Sequence, residues 1–160
     1  MGMLVNGKWQ NADLEDFQRN DDHVRFKNGF HHKIKQDPTN SYTPEANRYL
    51  LYVNVTCPWS HRTTITRKLK GLSDAIDIVY LEPAMGSQSW WFGDSNRYRD
   101  PTINATYLHE LYSATDRNFT GRVSIPVLWD KKTEKIINND SAQIARMLNC
   151  EFDKIAKKNA

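Results

Sequence analysis

Apolar positions are sparse through the first 46 residues and then gather into short dense runs, a change of texture that divides the chain. Residues 1–46 mix charges with scattered apolar side chains such as Val24, Phe26 and Phe30, and Gly7, Gly29, Pro38 and Pro44 interrupt them. An irregular arm is predicted there. From Arg48 the run Tyr49-Leu50-Leu51-Tyr52-Val53-Asn54-Val55 is aromatic and β-branched and too short for a helix. It reads as a buried strand ending at Thr56-Cys57. Pro58 then suits a first helical position, and a helix is predicted to about Lys70, with Arg67, Lys68 and Lys70 in its last turn and Gly71 as its C-terminal cap. Ile76 to Leu81 reads as a second strand, and strand, helix and strand in succession imply a right-handed crossover with parallel pairing.

Glu82 to Asp100 is polar and carries aromatic residues. Ile103, Leu108, Leu111 and Tyr112 recur at roughly helical spacing and predict a helix from Ile103 to about Ala114, with a break over Asp116–Gly121. Val123 to Trp129 is predicted as a third strand with Pro126 in its interior, and Lys135-Ile136-Ile137 as a short fourth strand across a turn over Asp130–Glu134. These two form a hairpin. Asp140 or Ser141 can cap a last helix whose apolar positions are Ile144, Met147 and Leu148. The order βαβ, then αββα, predicts an α/β fold with a mixed four-stranded sheet and helices packed on it.

At 160 residues the chain holds one compact domain with an appendage, or two very small ones, taking about 100–200 residues per domain. With 22 Lys and Arg against 19 Asp and Glu the formal charge is +3, too weak a bias for a nucleic-acid partner. Hydrophobic content is only 39%, yet 5 Trp, 7 Tyr and 6 Phe supply the area for a single modest core. The longest apolar runs fall far short of the ~20 residues that cross a bilayer, so no membrane partner is expected. Residues 1–10 carry no apolar segment of signal-peptide length, so a cytoplasmic location is expected and the four sequons, at Asn54, Asn104, Asn118 and Asn139, are not expected to be used. Cys57 and Cys150 are too few for a disulfide framework.

Cys57 stands at a strand end immediately before a helix that Pro58 opens, in Cys57-Pro58-Trp59-Ser60. Unpaired first-turn amides carry partial positive charge there and favour a nucleophilic thiolate. An inert buried cysteine is the commoner fate of the residue type, but the helix-start placement tips the balance. Ser60 stands where a dithiol oxidoreductase carries its second cysteine, so the thiolate must exchange with an external thiol, and glutathione is the abundant cytosolic one. Pro126 forfeits a ladder bond. A cis Ile125-Pro126 bond would leave the Ile125 N–H and C=O free for an extended cysteinyl peptide, whereas a trans bond would simply end an edge strand. In Asn138-Asn139-Asp140-Ser141 the Ser141 hydroxyl and the first-turn amides can receive a carboxylate and Asp140 an ammonium, or the pair is a plain N-cap. One sheet edge would gather all three features. Trp90-Trp91-Phe92 lies over a ligand or covers the core, and Arg122 holds a carboxylate or is a surface arginine. His31-His32 has no partner ligands at metal spacing, so no metal is expected. Cys150, near the end of the last helix, reads as packing.

Together, Arg48-Tyr49-Leu50-Leu51-Tyr52-Val53, Cys57-Pro58-Trp59-Ser60-His61-Arg62, Gly121-Arg122-Val123-Ser124-Ile125-Pro126-Val127-Leu128-Trp129-Asp130 and Asn138-Asn139-Asp140-Ser141 resemble the glutathionyl-hydroquinone reductases, the Xi class of glutathione transferases. The similarity runs from the arm, around Phe17, to about Phe152 and covers that family's thioredoxin-like N-terminal domain. It implies a βαβ-ββα fold with an irregular arm over 1–46, a glutathione-binding domain over 47–153 and a tail over 154–160. It also implies a reaction with glutathione as co-substrate: the cysteine attacks the sulfur of a glutathionyl-hydroquinone, hydroquinone leaves, and a second glutathione frees the enzyme as glutathione disulfide. Cys57 would be the nucleophile, the Ile125 backbone would pair with the cysteinyl part, Asp140 and Ser141 would hold the γ-glutamyl end, and Trp90 and Arg122 would contact the glycyl end.

Three departures from the family pattern stand out. Ser60 replaces the usual alanine, and Asp140 replaces a glutamate, which shortens the carboxylate by one methylene. The third is that the family continues into a helical domain where this chain stops at Ala160. Partners are therefore expected to be small glutathione conjugates, with a homodimer or a separate helical domain as the protein partner. Two alternatives use the same residues: a non-catalytic glutathione-binding module, and a glutaredoxin-like enzyme that removes glutathione from proteins.

Overall fold

The computed structural model describes residues 2–11 and 29–157. The expectations that fall on Phe17, Val24 and Phe26 lie outside those residues. In chain order the elements are β1 (Met3–Val5), β2 (Lys8–Gln10), β3 (Tyr49–Val53), α1 (Pro58–Leu69), β4 (Asp77–Tyr80), α2 (Leu108–Thr115), β5 (Val127–Asp130), β6 (Lys135–Asn138) and α3 (Ser141–Cys150). Four strands form the expected mixed sheet, in the order β4-β3-β5-β6. β3 runs parallel to β4 and antiparallel to β5, and β5 and β6 are the antiparallel hairpin. This is the thioredoxin-like α/β architecture.

All five residues of β3 are buried because the sheet is covered on both faces. Successive side chains of a strand point to opposite faces. Leu50 and Tyr52 accordingly join a cluster with Leu108, Leu111 and Tyr112 of α2, while Tyr49, Leu51 and Val53 join a second with Ile144, Met147 and Leu148 of α3. α1 buries only Ser60 and Thr63 and leaves Trp59, Ile65 and Leu69 exposed. Its start is set by Pro58, as expected, and Gly71 follows its end at φ +66, the left-handed conformation in which glycine has no steric penalty.

Several boundaries move for local reasons. β3 stops at Val53 rather than Val55 because Asn54 turns the chain: its Oδ1 accepts the Thr56 N–H and Oγ1–H at 2.8 and 2.7 Å. α2 begins at Leu108 rather than Ile103, since the buried Asp100 carboxylate gathers the N–H groups of Thr102, Ile103 and Ala105 and Asn104 takes φ +56. Those amides are then lost to a helix. β5 begins at Val127 rather than Val123, so Pro126 precedes the strand instead of interrupting it.

Within the stretch read as an irregular arm, residues 3–10 form a two-stranded antiparallel hairpin. Met3 and Leu4 are buried, and Leu4 exchanges both main-chain hydrogen bonds with Gly121 at 3.0 and 2.9 Å. Farther on, the arm runs antiparallel along β6, with His31 bridged to Asn138, the His32 N–H on the Ile137 carbonyl at 3.0 Å and the Asn139 N–H on the Phe30 carbonyl at 3.3 Å. Ile34 completes the second cluster. No described helix is long and apolar enough to cross a membrane.

Candidate functional site

Cys57 is the N-cap residue of α1, with extended backbone (φ −93, ψ 116), and its partly exposed side chain packs against the first cluster. Its own N–H donates to the Asn54 carbonyl at 3.2 Å, and its carbonyl accepts the His61 N–H at 3.1 Å. Asn54 builds the ledge: besides its bonds to Thr56, its Nδ2 donates to the Glu82 carbonyl at 2.6 Å. The Asn54 main-chain N–H donates to the hydroxyl of Ser60 at 3.3 Å. Ser60, the residue at the resolving position, is thus 1% exposed and holds the turn from inside.

The Ile125-Pro126 peptide is cis. Ile125 is buried in the first cluster and lies just before β5, outside the ladder. The residue before it is held firmly. Tyr112 donates its phenol proton to the Ser124 carbonyl at 2.8 Å and accepts the Ser124 N–H at 3.2 Å. Burial pushes the Tyr112 phenol above its ordinary value, so it keeps the proton this bond requires. Asn139 ties the same point to the start of α3: its Nδ2 donates to the Ser124 hydroxyl at 2.9 Å and to the Tyr112 oxygen at 3.1 Å, and its Oδ1 accepts the Phe30 N–H at 2.7 Å. Gly29, at φ +95, leaves room for that amide, since a Cβ there would lie 2.1 Å from Asn139 Oδ1.

Asp140, not Ser141, caps α3. Its Oδ1 accepts the N–H groups of Ala142 and Gln143 at 2.9 and 3.0 Å, which leaves Oδ2 with one long contact, 3.5 Å from Gln143 Nε2. Ser141 is half-buried, and its hydroxyl makes no hydrogen bond to another described residue. Among the three aromatic residues, Phe92 is core, edge-on to Tyr52 at 5.5 Å, and the Trp91 indole donates to the Ala84 carbonyl at 2.9 Å. Trp90 stays at the boundary: its side chain packs on the first cluster and its carbonyl accepts the Leu108 N–H at 2.9 Å, capping α2.

Cys57, Trp90 and Ile125 therefore border one apolar cluster, and Asp140 and Ser141 are joined to that region through Asn139. Arg122 is exposed and has no ion pair or hydrogen bond with another described residue. Cys150 is also exposed, at the far end of α3 from Asp140, where it lines a cavity of about 610 Å³ between α1 and α3. No group of three metal-ligating side chains occurs among the described residues. The framework residues Asn54, Tyr112 and Asn139 were given no part in the site by sequence. Asn54 could have been given one: an asparagine between two valines at a strand end is a turn signal.

Residues 56–151 match the family model for the glutathione S-transferase N-terminal domain. The chain is 37% identical to glutathionyl-hydroquinone reductase YqjG of Escherichia coli (strain K12) over 99% of its length and 51% of that protein's. It is 36% identical to glutathionyl-hydroquinone reductase PcpF of Sphingobium chlorophenolicum over 97% of its length and 49% of that protein's. Among solved structures, the Xi-class transferase of Natrialba magadii superposes with a TM-score of 0.88 at 37% identity, over 100% of this chain and 48% of that one. The glutathione-bound structure of YqjG gives 0.75 at 40% identity, over 81% of this chain and 45% of that one. The chain spans about half the length of the curated relatives it matches.

Proposed function

The chain belongs to the glutathione S-transferase N-terminal domain family, and on that premise we propose that it binds glutathione and transfers its thiol through Cys57, reducing glutathionyl-hydroquinones to hydroquinones. The observation that carries this reading is that Cys57 stands at the start of α1 and borders the same apolar cluster as the off-ladder main chain of Ile125. A nucleophilic sulfur and an unpaired peptide edge on one apolar cluster are what an extended cysteinyl peptide needs. The glutathione-bound relative YqjG supports the choice of peptide.

In this reading residues 47–153 are the glutathione-binding domain. The Ile125 N–H and C=O pair with the cysteinyl unit, Asp140 Oδ2 and the Ser141 hydroxyl take the γ-glutamyl ammonium and carboxylate, and Trp90 and Arg122 meet the glycyl end. Cys57 sulfur then attacks the sulfur of the conjugate. A disulfide forms between Cys57 and the glutathionyl unit, the bond from sulfur to the ring carbon breaks, and that carbon takes a proton as hydroquinone leaves. A second glutathione thiolate attacks the glutathionyl sulfur of the mixed disulfide and departs as glutathione disulfide, returning the Cys57 thiolate. Reduced glutathione is the electron donor, so the reading takes the protein as cytoplasmic and its partners as small conjugates. It assigns no metal.

Intact-mass spectrometry after incubation with glutathione disulfide tests the nucleophile. One glutathionyl adduct is expected, kept by Cys150→Ala and absent from Cys57→Ala. An adduct that survives Cys57→Ala and disappears with Cys150→Ala would overturn the assignment. Binding without release of hydroquinone from a conjugate would instead leave a glutathione-binding module.

A further inference from the structure

The loop that carries Trp90 is pinned to the N-terminal hairpin through a ring stack that the site itself does not use. His109 on α2 stacks on Trp9 of β2, with ring centroids 5.0 Å apart and planes at 18°, and on Tyr107, at 5.5 Å and 7°. Its Nε2 donates to Gln88 Oε1 at 2.7 Å. One residue earlier, Ser87 Oγ bonds the Tyr107 hydroxyl at 2.9 Å. Residues 86–89 close a tight turn, with the Gly86 N–H on the Ser89 carbonyl at 2.9 Å, and Ser89 takes φ +71, a left-handed conformation that a serine rarely adopts. The next residue is Trp90. The turn thus sets the direction in which the chain enters Trp90, alongside the Leu108 N–H on the Trp90 carbonyl.

We propose that the Trp9–His109 stack, acting through the His109–Gln88 hydrogen bond, positions Trp90 for glutathione, so that the N-terminal hairpin tunes the affinity of the site. His109 and Gln88 are positioning residues. Trp9 backs the imidazole on β2, and β2 is itself anchored through the pairing of β1 with Gly121. Desolvation lowers the pKa of His109, which keeps the ring neutral and matches the single N–H it donates.

The inference rests on reading Trp90 as a glutathione contact, and the experiment separates the two. Glutathione dissociation constants by calorimetry, and the rate of Cys57 adduct formation at saturating glutathione disulfide, are measured for Trp90→Ala, Gln88→Ala, His109→Phe and the Gln88→Ala/His109→Phe double variant, with thermal unfolding as a control. His109→Phe keeps a ring in the stack and removes the donor; Gln88→Ala removes the acceptor alone. Gln88→Ala and His109→Phe are each expected to weaken binding about threefold to tenfold, as loss of one hydrogen bond implies. The double variant should be no weaker than either, and the saturating rate of Gln88→Ala and of His109→Phe should not change. If Trp90→Ala weakens binding while Gln88→Ala and His109→Phe leave it unchanged, the His109–Gln88 bond does not position Trp90 and the proposal falls alone. If Trp90→Ala has no effect, the assignment of Trp90 falls and takes the proposal with it.

Discussion

Arg48 and Asp130 meet across the sheet as a buried bidentate pair, Nε on Oδ1 and Nη2 on Oδ2, both at 2.9 Å. Asp130 is fully buried and also accepts the Lys132 N–H at 3.1 Å and the Thr133 hydroxyl at 2.9 Å. Removing one partner strands the other charge, so Arg48→Met is expected to lower unfolding free energy by about 3–5 kcal/mol, read from urea denaturation. Burial pushes the Asp130 carboxyl up, but the bonds from Arg48, Lys132 and Thr133 outweigh it and hold it below the usual carboxylate range. Its stabilising contribution is therefore present above pH ~4 and lost as pH falls through the depressed value. His109 has the opposite chemistry and the same slope. Its desolvated ring resists protonation, so below about pH 6.5 the unfolded chain binds the proton first and stability declines with falling pH. Comparing denaturation midpoints between pH 7.5 and 5.5 should show a smaller decline in His109→Phe than in the parent chain. The Arg48–Asp130 pair was not legible in the sequence, since the two residues lie 82 positions apart.

Elements were legible where the local signal and the tertiary demand agree. The dense run Tyr49–Val53 and the Pro58 start of α1 are such cases, and the structure keeps both. Edges went astray where a side chain outbids the backbone pattern for its hydrogen bonds, as Asn54 and Asp100 do. The hairpin of β1 and β2 was invisible because strands of three residues have too few positions to show alternation, and the main-chain bridge of Leu4 is to a residue 117 positions away. α3 supplies a direct test of the double role given to Asp140. Asp140→Ser keeps a good N-cap and deletes the charge, so glutathione affinity should fall with stability nearly unchanged; Asp140→Ala removes both and should cost about 1 kcal/mol of stability as well. Equal affinities of parent and Asp140→Ser would remove the carboxylate from the site. The placement of Cys57 at a helix start could be read from Pro58, whereas Pro126 left a cis and a trans bond open and the structure has the cis one. The Asn139 link to Ser124 could not be anticipated, since an asparagine before a helix also reads as ordinary turn chemistry.

At the scale of the molecule, the hairpin is part of the core rather than an ornament. Leu4 sits at 0% exposure in the cluster that also contains Ile125. Leu4→Ala should therefore cost about 2–5 kcal/mol in chemical denaturation, the penalty of a central leucine. The Phe30–His32 segment has a consequence of another kind. It lies along β6, whereas among the described residues no strand pairs with the outer side of β4. A sheet with a single open rim lets two copies meet and stop, because neither has a second rim to offer. Strip that segment away and each copy gains a second rim, so that addition can continue without limit. Three residues of the arm thereby leave the sheet, among the described residues, with one strand edge rather than two to offer another chain.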